Sequence, residues 1–464
     1  MGRVRIRTIL GVAACKLSRA ALRLKKSGGT SLPGRAAMLF DRNILGELSR
    51  GVETIVVTGT NGKTTTCRLL AAALAAEGKE VLANRSGANL LQGVTAEFAA
   101  NAGFLGRPKR KYAVIECDEG AFPRVASLVR PKVIVVTNLF RDQLDRYGEV
   151  MHTLEQIRAG IRQVPKSRLC LNADCPLTSS LAEEASATPV FFGVDVPVGE
   201  QKEPELSDAR YCIRCQSAYR YEYRTYAHLG GYYCPVCGYR RPAPRISVTG
   251  LKLRGAAGTD AVMTFRDPGK EPVSKEVRIR LPAVYNLYNA LAAAAACTAA
   301  GYDRDNMLRS LAGTGNSFGR METFQAGKAQ IQMILVKNPA GCNQTLDYLL
   351  SLDEDYAAVL CLNDQAADGT DISWIWDVEY EKLAEDPHLK RVMVSGERAE
   401  DMRLRLKYAG IPEEITELVH GWEKLAGEME NSSLPVFVLP NYTSMLALRR
   451  VLAKDAGKEE FWKG

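Results

Sequence analysis

Residues 55–66 read Ile-Val-Val-Thr-Gly-Thr-Asn-Gly-Lys-Thr-Thr-Thr, and residues 67–76 continue in helix-forming residues. Consecutive β-branched residues predict a buried strand, Gly59 and Gly62 a tight turn, and Cys67–Ala76 a helix. A strand running through a Gly-rich turn into a helix gathers backbone N–H groups and the positive end of the helix dipole at one point, where a triphosphate can sit. Lys63 is then placed for the β- and γ-phosphates and Thr64 for Mg²⁺. Gly59, Thr60, Asn61, Gly62 and Thr65 complete the expected cradle for ATP. The common form of this loop has a further Gly five residues before the second one, and here that position is Val57. The alternative is a chance Gly-rich turn, against which the Lys-Thr-Thr run between strand and helix weighs.

Outward from this loop, short β-branched runs alternate with Ala/Leu-rich helical stretches, the pattern of a parallel sheet wrapped by helices. Thr54–Thr58, Tyr112–Glu116, Val133–Thr137 and Arg168–Asn172 form one set. Ile331–Val336, Ala357–Leu362, Arg391–Ser395 and Pro435–Leu439 form another, so two α/β domains are expected. The helix Asn286–Ala300 closes the first, and Gly313–Gly319 reads as the linker. The expected division is an N-terminal arm over 1–40, an ATP-binding domain over 41–315 with an insertion at 205–245, and a Rossmann-like domain over 318–464.

The chain has 464 residues, 46% hydrophobic and 25% charged, with a formal charge of +8. Residues 1–40 hold nine Lys/Arg (Arg3, Arg5, Arg7, Lys16, Arg19, Arg23, Lys25, Lys26, Arg35) and no Asp or Glu, which leaves residues 41–464 at −1. The expectation is a near-neutral body with a basic arm. No apolar run approaches the ~18–20 residues that span a bilayer. The apolar stretch Ile9–Ala14 is cut short by Lys16 and Arg19, which argues against a signal peptide. Twelve cysteines, thinly spread apart from one cluster, fit a reducing, cytoplasmic compartment.

That cluster is Tyr-Cys-Ile-Arg-Cys (211–215) and Tyr-Cys-Pro-Val-Cys-Gly-Tyr (233–239), two Cys-x₂-Cys knuckles with 18 residues between them. Cys212, Cys215, Cys234 and Cys237 are the expected ligands of a closed structural Zn²⁺ site, with a disulfide pair as the alternative. Tyr219, Tyr221 and Tyr223, interleaved with Arg220 and Arg224, could stack on nucleic acid or pack a ribbon too small to stand without its metal. The four histidines, His152, His228, His388 and His420, stand in no recognisable sequence context with a cysteine.

Gly-Thr-Asn-Gly-Lys-Thr-Thr (59–65) resembles the loop of Mur ligases and folylpolyglutamate synthases. Glu-Cys-Asp-Glu (116–119) and Thr-Asn-Leu-Phe-Arg-Asp-Gln-Leu-Asp (137–145) resemble Mur ligase segments that carry metal ligands and a substrate carboxylate pocket. The resemblance makes Glu116 a ligand of a second Mg²⁺. For Asp118, Glu119 and Asp145 a simple capping role is equally open. Tyr-Asn-Leu-Tyr-Asn-Ala-Leu (285–291) resembles the helix start whose second Asn, here Asn289, faces the adenine. Gly-Arg-Met-Glu (319–322) resembles the segment whose Arg, here Arg320, reaches the γ-phosphate. Ser86–Asn89 is a further candidate for substrate contact.

In the last third the chain departs from amino-acid-adding Mur ligases. Their Asp-x-x-His-x-Pro segment appears as Val336-Lys337-Asn338-Pro339-Ala340, with neither Asp nor His. Leu362–Asp377, which contains Asp-Gly-Thr-Asp, and Leu439–Ser444 (Leu-Pro-Asn-Tyr-Thr-Ser) resemble instead the MurT family over essentially the whole chain. These are the Mur ligase-like synthetase subunits that amidate the D-glutamate of lipid II. The implied fold is α/β: a Mur ligase-type P-loop domain with an inserted four-Cys zinc ribbon, then a Rossmann-like domain. The implied chemistry makes an acyl phosphate with Mg·ATP and converts it to D-isoglutamine with ammonia, using Lys63 and Glu116. The implied partner is a GatD-type glutaminase of the class I amidotransferase kind in a heterodimer, whose Cys–His pair is completed by Asp371.

Two alternatives stand beside this reading. One is an ordinary Mur or folylpolyglutamate-type amino acid ligase; the other is a zinc-ribbon ATPase acting on nucleic acid. On a helical wheel Lys16, Arg19, Arg23 and Lys26 share one face, and Ile6, Ile9, Leu10, Ala13, Leu17 and Leu24 the other. With a lipid-borne substrate, the cationic face is expected to meet the inner membrane surface, or else the helix docks on the body by its apolar face.

Overall fold

The loop of residues 59–62 lies at the carboxyl end of an interior strand, third from one edge of a nine-stranded sheet. The computed structural model describes residues 6–24, 31–84, 88–142, 150–198, 208–313 and 320–455. In chain order the strands of the first sheet and the insert are β1 Glu53–Thr58, β2 Val81–Ala83, β3 Tyr112–Glu116, β4 Val133–Val136, β5 Arg168–Asn172, β6 Val190–Val194, β7 Arg220–Tyr226, β8 Leu229–Tyr233, β9 Ile246–Leu253, β10 Thr259–Phe265 and β11 Val273–Ile279. The sheet order is β11-β10-β9-β6-β5-β4-β1-β3-β2. β1 runs parallel between β3 and β4, with Val57 opposite Glu116 and Val135. Later connections add strands on the β4 side while β2 and β3 lie on the other, so β1 borders the crevice where open α/β sheets bind ligands.

Ile55, Val56 and Val57 are fully buried. At roughly 1.5–3 kcal/mol for each buried side chain of this size, the strand carrying the loop is firmly anchored. The helix Tyr285–Ala300 is buried nearly all round, since its small alanines let it lie close beneath the sheet. β9–β11, which the sequence pattern did not single out, form an antiparallel extension of the sheet.

The second sheet contains β12 Arg320–Ala326, β13 Ala329–Ile334, β14 Tyr356–Cys361, β15 Leu389–Ser395, β16 Thr416–Leu418 and β17 Val436–Pro440, in the order β12-β13-β17-β14-β15-β16. Only β12 runs antiparallel to its neighbour. β14 is parallel to β15 and β17, and helices Pro339–Leu349 and Tyr442–Asp455 flank the sheet. The α/β class and the two-sheet architecture agree with the sequence reading. Residues 314–319 of the Gly313–Gly319 linker, the arm cations Arg3, Arg5, Lys25 and Lys26, the side chain of Arg23, and Ser86 and Asp145 fall outside the described residues.

The N-terminal segment corrects an expectation. The segment docks on the body, but not by its apolar face: helices Ile6–Leu24 and Ser31–Phe40 pack together and onto helix Leu91–Asn101, with Val12, Cys15 and Ala37 in the main core. Nor do the described cations of the basic face, Lys16 and Arg19, look outward. Lys16 Nζ donates to Ala102 O at 2.6 Å, and Arg19 pairs with Glu97 at 3.3 Å. The apolar residues Ile6, Leu10 and Leu17 are the exposed ones. The inner face fits flush because Gly11 leaves room for Ala37 O, which an added Cβ would meet at 2.9 Å.

Candidate functional site

Gly59 and Gly62 both have positive φ, +113° and +87°. A Cβ on Gly59 would lie 2.5 Å from Thr137 Oγ1, and one on Gly62 would lie 2.0 Å from Asn289 Oδ1, so glycine is needed twice for space as well as for conformation. The loop is pinned to the end of β4. Thr60 N donates to Asn138 O and Asn61 N to Asn138 Oδ1, both at 2.9 Å, while Thr137 Oγ1 donates to Asn61 O at 2.7 Å. Asn289 is buried at this loop and donates to Asn286 Oδ1 at 2.9 Å.

The helix Lys63–Ala76 begins at the turn. Thr64 Oγ1 donates to Glu116 Oε2 at 2.6 Å, which joins the helix start to the end of β3. Asn89 Nδ2 donates to Glu116 Oε1 at 3.2 Å, and Asn84 exchanges hydrogen bonds with the Glu116 backbone N–H and C=O. A hydroxyl and a carboxylate converging at a helix N-terminus form the hard oxygen set that suits Mg²⁺.

Lys63 is buried and donates to Glu119 Oε1 at 2.7 Å, to Gly59 O at 2.5 Å and to Thr60 O at 3.2 Å. Burial works against its charge, but the carboxylates of Glu119, Glu116 and Asp118 together outweigh it and hold the ammonium above the usual lysine range. Burial raises the Glu119 carboxyl, with Lys63 opposing. Glu119 therefore does more than cap a turn, whereas Asp118 Oδ1 does accept from Gly120 N at 3.1 Å in a local turn.

The second domain covers this cluster. Asn338 Nδ2 donates to Asn61 Oδ1 at 3.1 Å, and Asn338 Oδ1 caps helix Pro339–Leu349 through Gly341 N at 2.8 Å. Lys337 pairs with Asp142, and Arg141 with Asp377 at 3.2 Å. Burial raises the Tyr442 phenol, with the Asp368 and Glu116 carboxylates adding to the shift, so the segment after β17 also faces the cluster. The sequence flagged Lys337 and Asn338 only for what they lack. Their role as a roof over the phosphate loop depends on domain placement, which no local pattern encodes. Arg320 opens β12, paired with Ile334, and its side chain falls outside the described residues.

In the loop after β14 the three aspartates differ. Asp364 pairs with Arg398 at 2.8 Å. Asp368 is buried and accepts from Thr443 N at 2.8 Å at the start of helix Tyr442–Asp455. Asp371 is half-buried and its Oδ1 accepts from Ser373 N at 2.8 Å. Trp376, half-exposed, meets exposed Tyr408 edge-on at 5.7 Å.

The four-Cys insert is a β7–β8 hairpin between two knuckles. The Sγ atoms of Cys212, Cys215, Cys234 and Cys237 all lie within 4.8 Å of one another, with the Cys212–Cys237 pair at 3.6 Å and the Cys215–Cys234 pair at 3.4 Å. Four thiolates around Zn²⁺ at ~2.3 Å stand about 3.8 Å apart, so the donor set fits a tetrahedral metal. Hydrogen bonds from the Ser217 backbone and side chain pull the Cys215 thiol down to about 6. Of the two readings of the tyrosines, packing is the one observed. Tyr219 and Tyr232 fill the ribbon's small core, and the Tyr221 and Tyr223 hydroxyls donate to His228 O and Val194 O.

The structure also shows a pair that the sequence reading missed. Cys175 Sγ lies 3.4 Å from His228 Nε2, both fully buried between insert and sheet. Burial opposes the thiolate, yet His228 lowers the Cys175 thiol overall. The two residues stand 53 apart in sequence, so spacing gave no signal. With neither side chain open to solvent, the pair joins the insert to the body.

Residues 57–212 match the family model of the Mur ligase middle domain, and residues 335–445 that of the MurT ligase C-terminal region. The chain is similar to Lipid II isoglutaminyl synthase (glutamine-hydrolyzing) subunit MurT of Streptococcus pneumoniae, 34% identical over 452 residues that cover 97% of each chain. The Staphylococcus aureus (strain COL) subunit of the same name is 34% identical over 441 residues, 95% of this chain and 96% of the other. Among solved structures, a pseudomurein peptide ligase type C from Methanothermus fervidus superposes with a TM-score of 0.65 at 21% identity, covering 87% of this chain and 79% of that one. This last likeness concerns the fold.

Proposed function

This chain belongs to the MurT family of Mur ligase-like synthetase subunits, and from that premise we propose that it amidates the α-carboxylate of D-glutamate in lipid II to D-isoglutamine. One observation carries the choice of amidation over amino-acid addition. Lys337-Asn338-Pro339, a segment without the Asp and His of amino-acid-adding ligases, lies hydrogen-bonded on the phosphate loop.

In the first step a carboxylate oxygen attacks the γ-phosphorus, the bond to the β,γ-bridging oxygen breaks, and ADP leaves an acyl phosphate behind. In the second, the ammonia lone pair adds to the acyl carbon, the tetrahedral intermediate expels phosphate, and the nitrogen releases a proton to solvent. Catalysis of the first step is chiefly positioning and charge neutralisation. The N–H groups of residues 59–65 cradle the phosphates. Lys63 exchanges its contacts with Gly59 O, Thr60 O and Glu119 for phosphate oxygens. Bound Mg²⁺ supplies Lewis-acid neutralisation of the phosphate charge, and Thr64 and Glu116 are the side chains to hold it. Asn289 and Arg320 are assigned to the adenine and the γ-phosphate on family resemblance. Zn²⁺ in the four-Cys cluster serves structure, since all four donors come from the protein.

Ammonium dominates over ammonia at neutral pH, so a glutaminase that hands over NH₃ directly suits this chemistry. The proposed partner is a GatD-type class I glutaminase in a heterodimer, with Asp371 completing its Cys–His pair. Asp364 and Asp368 are occupied by Arg398 and Thr443, whereas Asp371 is held by a short turn that precedes exposed Trp376 in the chain, an arrangement that supports a partner surface. Such a reaction takes place on the cytoplasmic side of the membrane that carries lipid II. The test is ATP turnover by the reconstituted pair in the presence of lipid II. ADP release that requires glutamine or ammonia supports the reading, and release driven by an amino acid or by nucleic acid overturns it.

A further inference from the structure

Helix Ile6–Leu24 is amphipathic and docked inside out. Positions 6, 10, 13, 17 and 20 recur at helical spacing and form one stripe. On it Ile6 is 76% and Leu17 71% exposed, while Val12 and Cys15 on the opposite side are fully buried. A soluble helix is ordinarily oriented the other way, because exposed apolar area is unfavourable in water. The next helix, Ser31–Phe40, continues the pattern with Leu39, 85% exposed. Beyond the first helix the loop after Leu91–Asn101 adds Phe104 and Leu105, 77% and 65% exposed. This loop is held against the first helix, since Lys16 Nζ donates to Ala102 O at 2.6 Å and stands 4.5 Å from the centre of the Phe104 ring.

The rim of this patch is cationic. Arg7 and Arg35 on the two helices and Arg107 and Lys109 in the Phe104–Leu105 loop are exposed. The nearby carboxylates Asp41 and Glu97 are engaged by Thr8 and Arg19. An apolar centre with protruding Leu and Phe and a basic border is complementary to an anionic bilayer surface, with its acyl chains beneath phosphate headgroups. No described helix is long and apolar enough to cross a membrane, so the contact lies in the interface plane.

We propose that the outward faces of helices Ile6–Leu24 and Ser31–Phe40, with the Phe104–Leu105 loop, dock this protein on an anionic phospholipid bilayer. The contact is separate from the phosphate-loop cluster and stands on exposure and charge; the proposed lipid-borne substrate gives it a use.

The test is co-sedimentation of the full chain with vesicles of phosphatidylcholine and phosphatidylglycerol, compared with a Leu17→Glu/Leu39→Glu/Phe104→Glu variant. The expected result is wild-type binding that falls at least ~10-fold in the variant. ATP-dependent amidation of detergent-solubilised substrate with free ammonia should stay unchanged, which separates failure of this docking surface from failure of the proposed reaction. As a second readout, Phe104→Trp should show vesicle-induced blue-shifted emission over the wild-type background. Absence of wild-type binding, equal binding by the variant, or no shift at position 104 overturns the proposal. So does concentration-dependent self-association that the triple substitution abolishes, because a second copy would then cover the face.

Discussion

At the residue scale, the site turns on contacts of a few ångströms whose loss can be forecast. Glu116 receives Thr64 and Asn89 in the position proposed for Mg²⁺. Glu116→Gln keeps shape and removes charge, so ammonia-supported kcat should fall about 10²–10³-fold, with the deficit partly recovered at raised Mg²⁺. An effect confined to KM for lipid II would remove Glu116 from the metal. Gly62→Ala forces a Cβ toward Asn289 Oδ1 at positive φ, a strain of order 1–3 kcal/mol. Nucleotide binding, followed by calorimetry, should weaken while the rest of the fold persists. Asp371→Asn should cut glutamine-dependent amidation by about 10²–10⁴-fold and leave ammonia-dependent amidation within about twofold. Equal loss with both nitrogen sources would assign Asp371 to the synthetase or the fold.

At the scale of elements, the legible parts were those written in consecutive residues. β1, the turn and its helix follow from Ile55–Ala76, because strand period, glycine and helix former succeed one another without interruption. The Cys-x₂-Cys pairs were legible for the same reason, and the sulfurs do converge. What was not legible depended on partners far along the chain. The Cys175–His228 pair, the pairing of Glu119 with Lys63, and Asn338 on Asn61 join residues separated by 53, 56 and 277 positions. The N-terminal helix shows the limit most clearly, since its wheel was read correctly while its orientation on the body was not. The ribbon itself should depend on its metal. Chelation, or Cys234→Ser, should release about one zinc per chain and lower the unfolding midpoint, since Tyr219 and Tyr232 alone make a meagre core. An unchanged midpoint on full removal would mean that hairpin and body suffice.

At the scale of the whole molecule, the two sheets meet at the phosphate loop through Asn61–Asn338, Lys337–Asp142 and Arg141–Asp377. One domain is thus proposed to bind ATP, while the other roofs the site and carries Asp371 toward a partner. Ammonia from glutamine is thereby proposed to become the new amide on lipid II at the expense of ATP. The measurement that tests this most directly is mass spectrometry of lipid II after incubation with the chain, its glutaminase partner, ATP and glutamine labelled with ¹⁵N in the side-chain amide. The expected product has an amide bearing ¹⁵N in place of its α-carboxylate, formed in step with ADP. A product extended by an amino acid residue, or labelled amide formed without ATP consumption, would contradict the proposal.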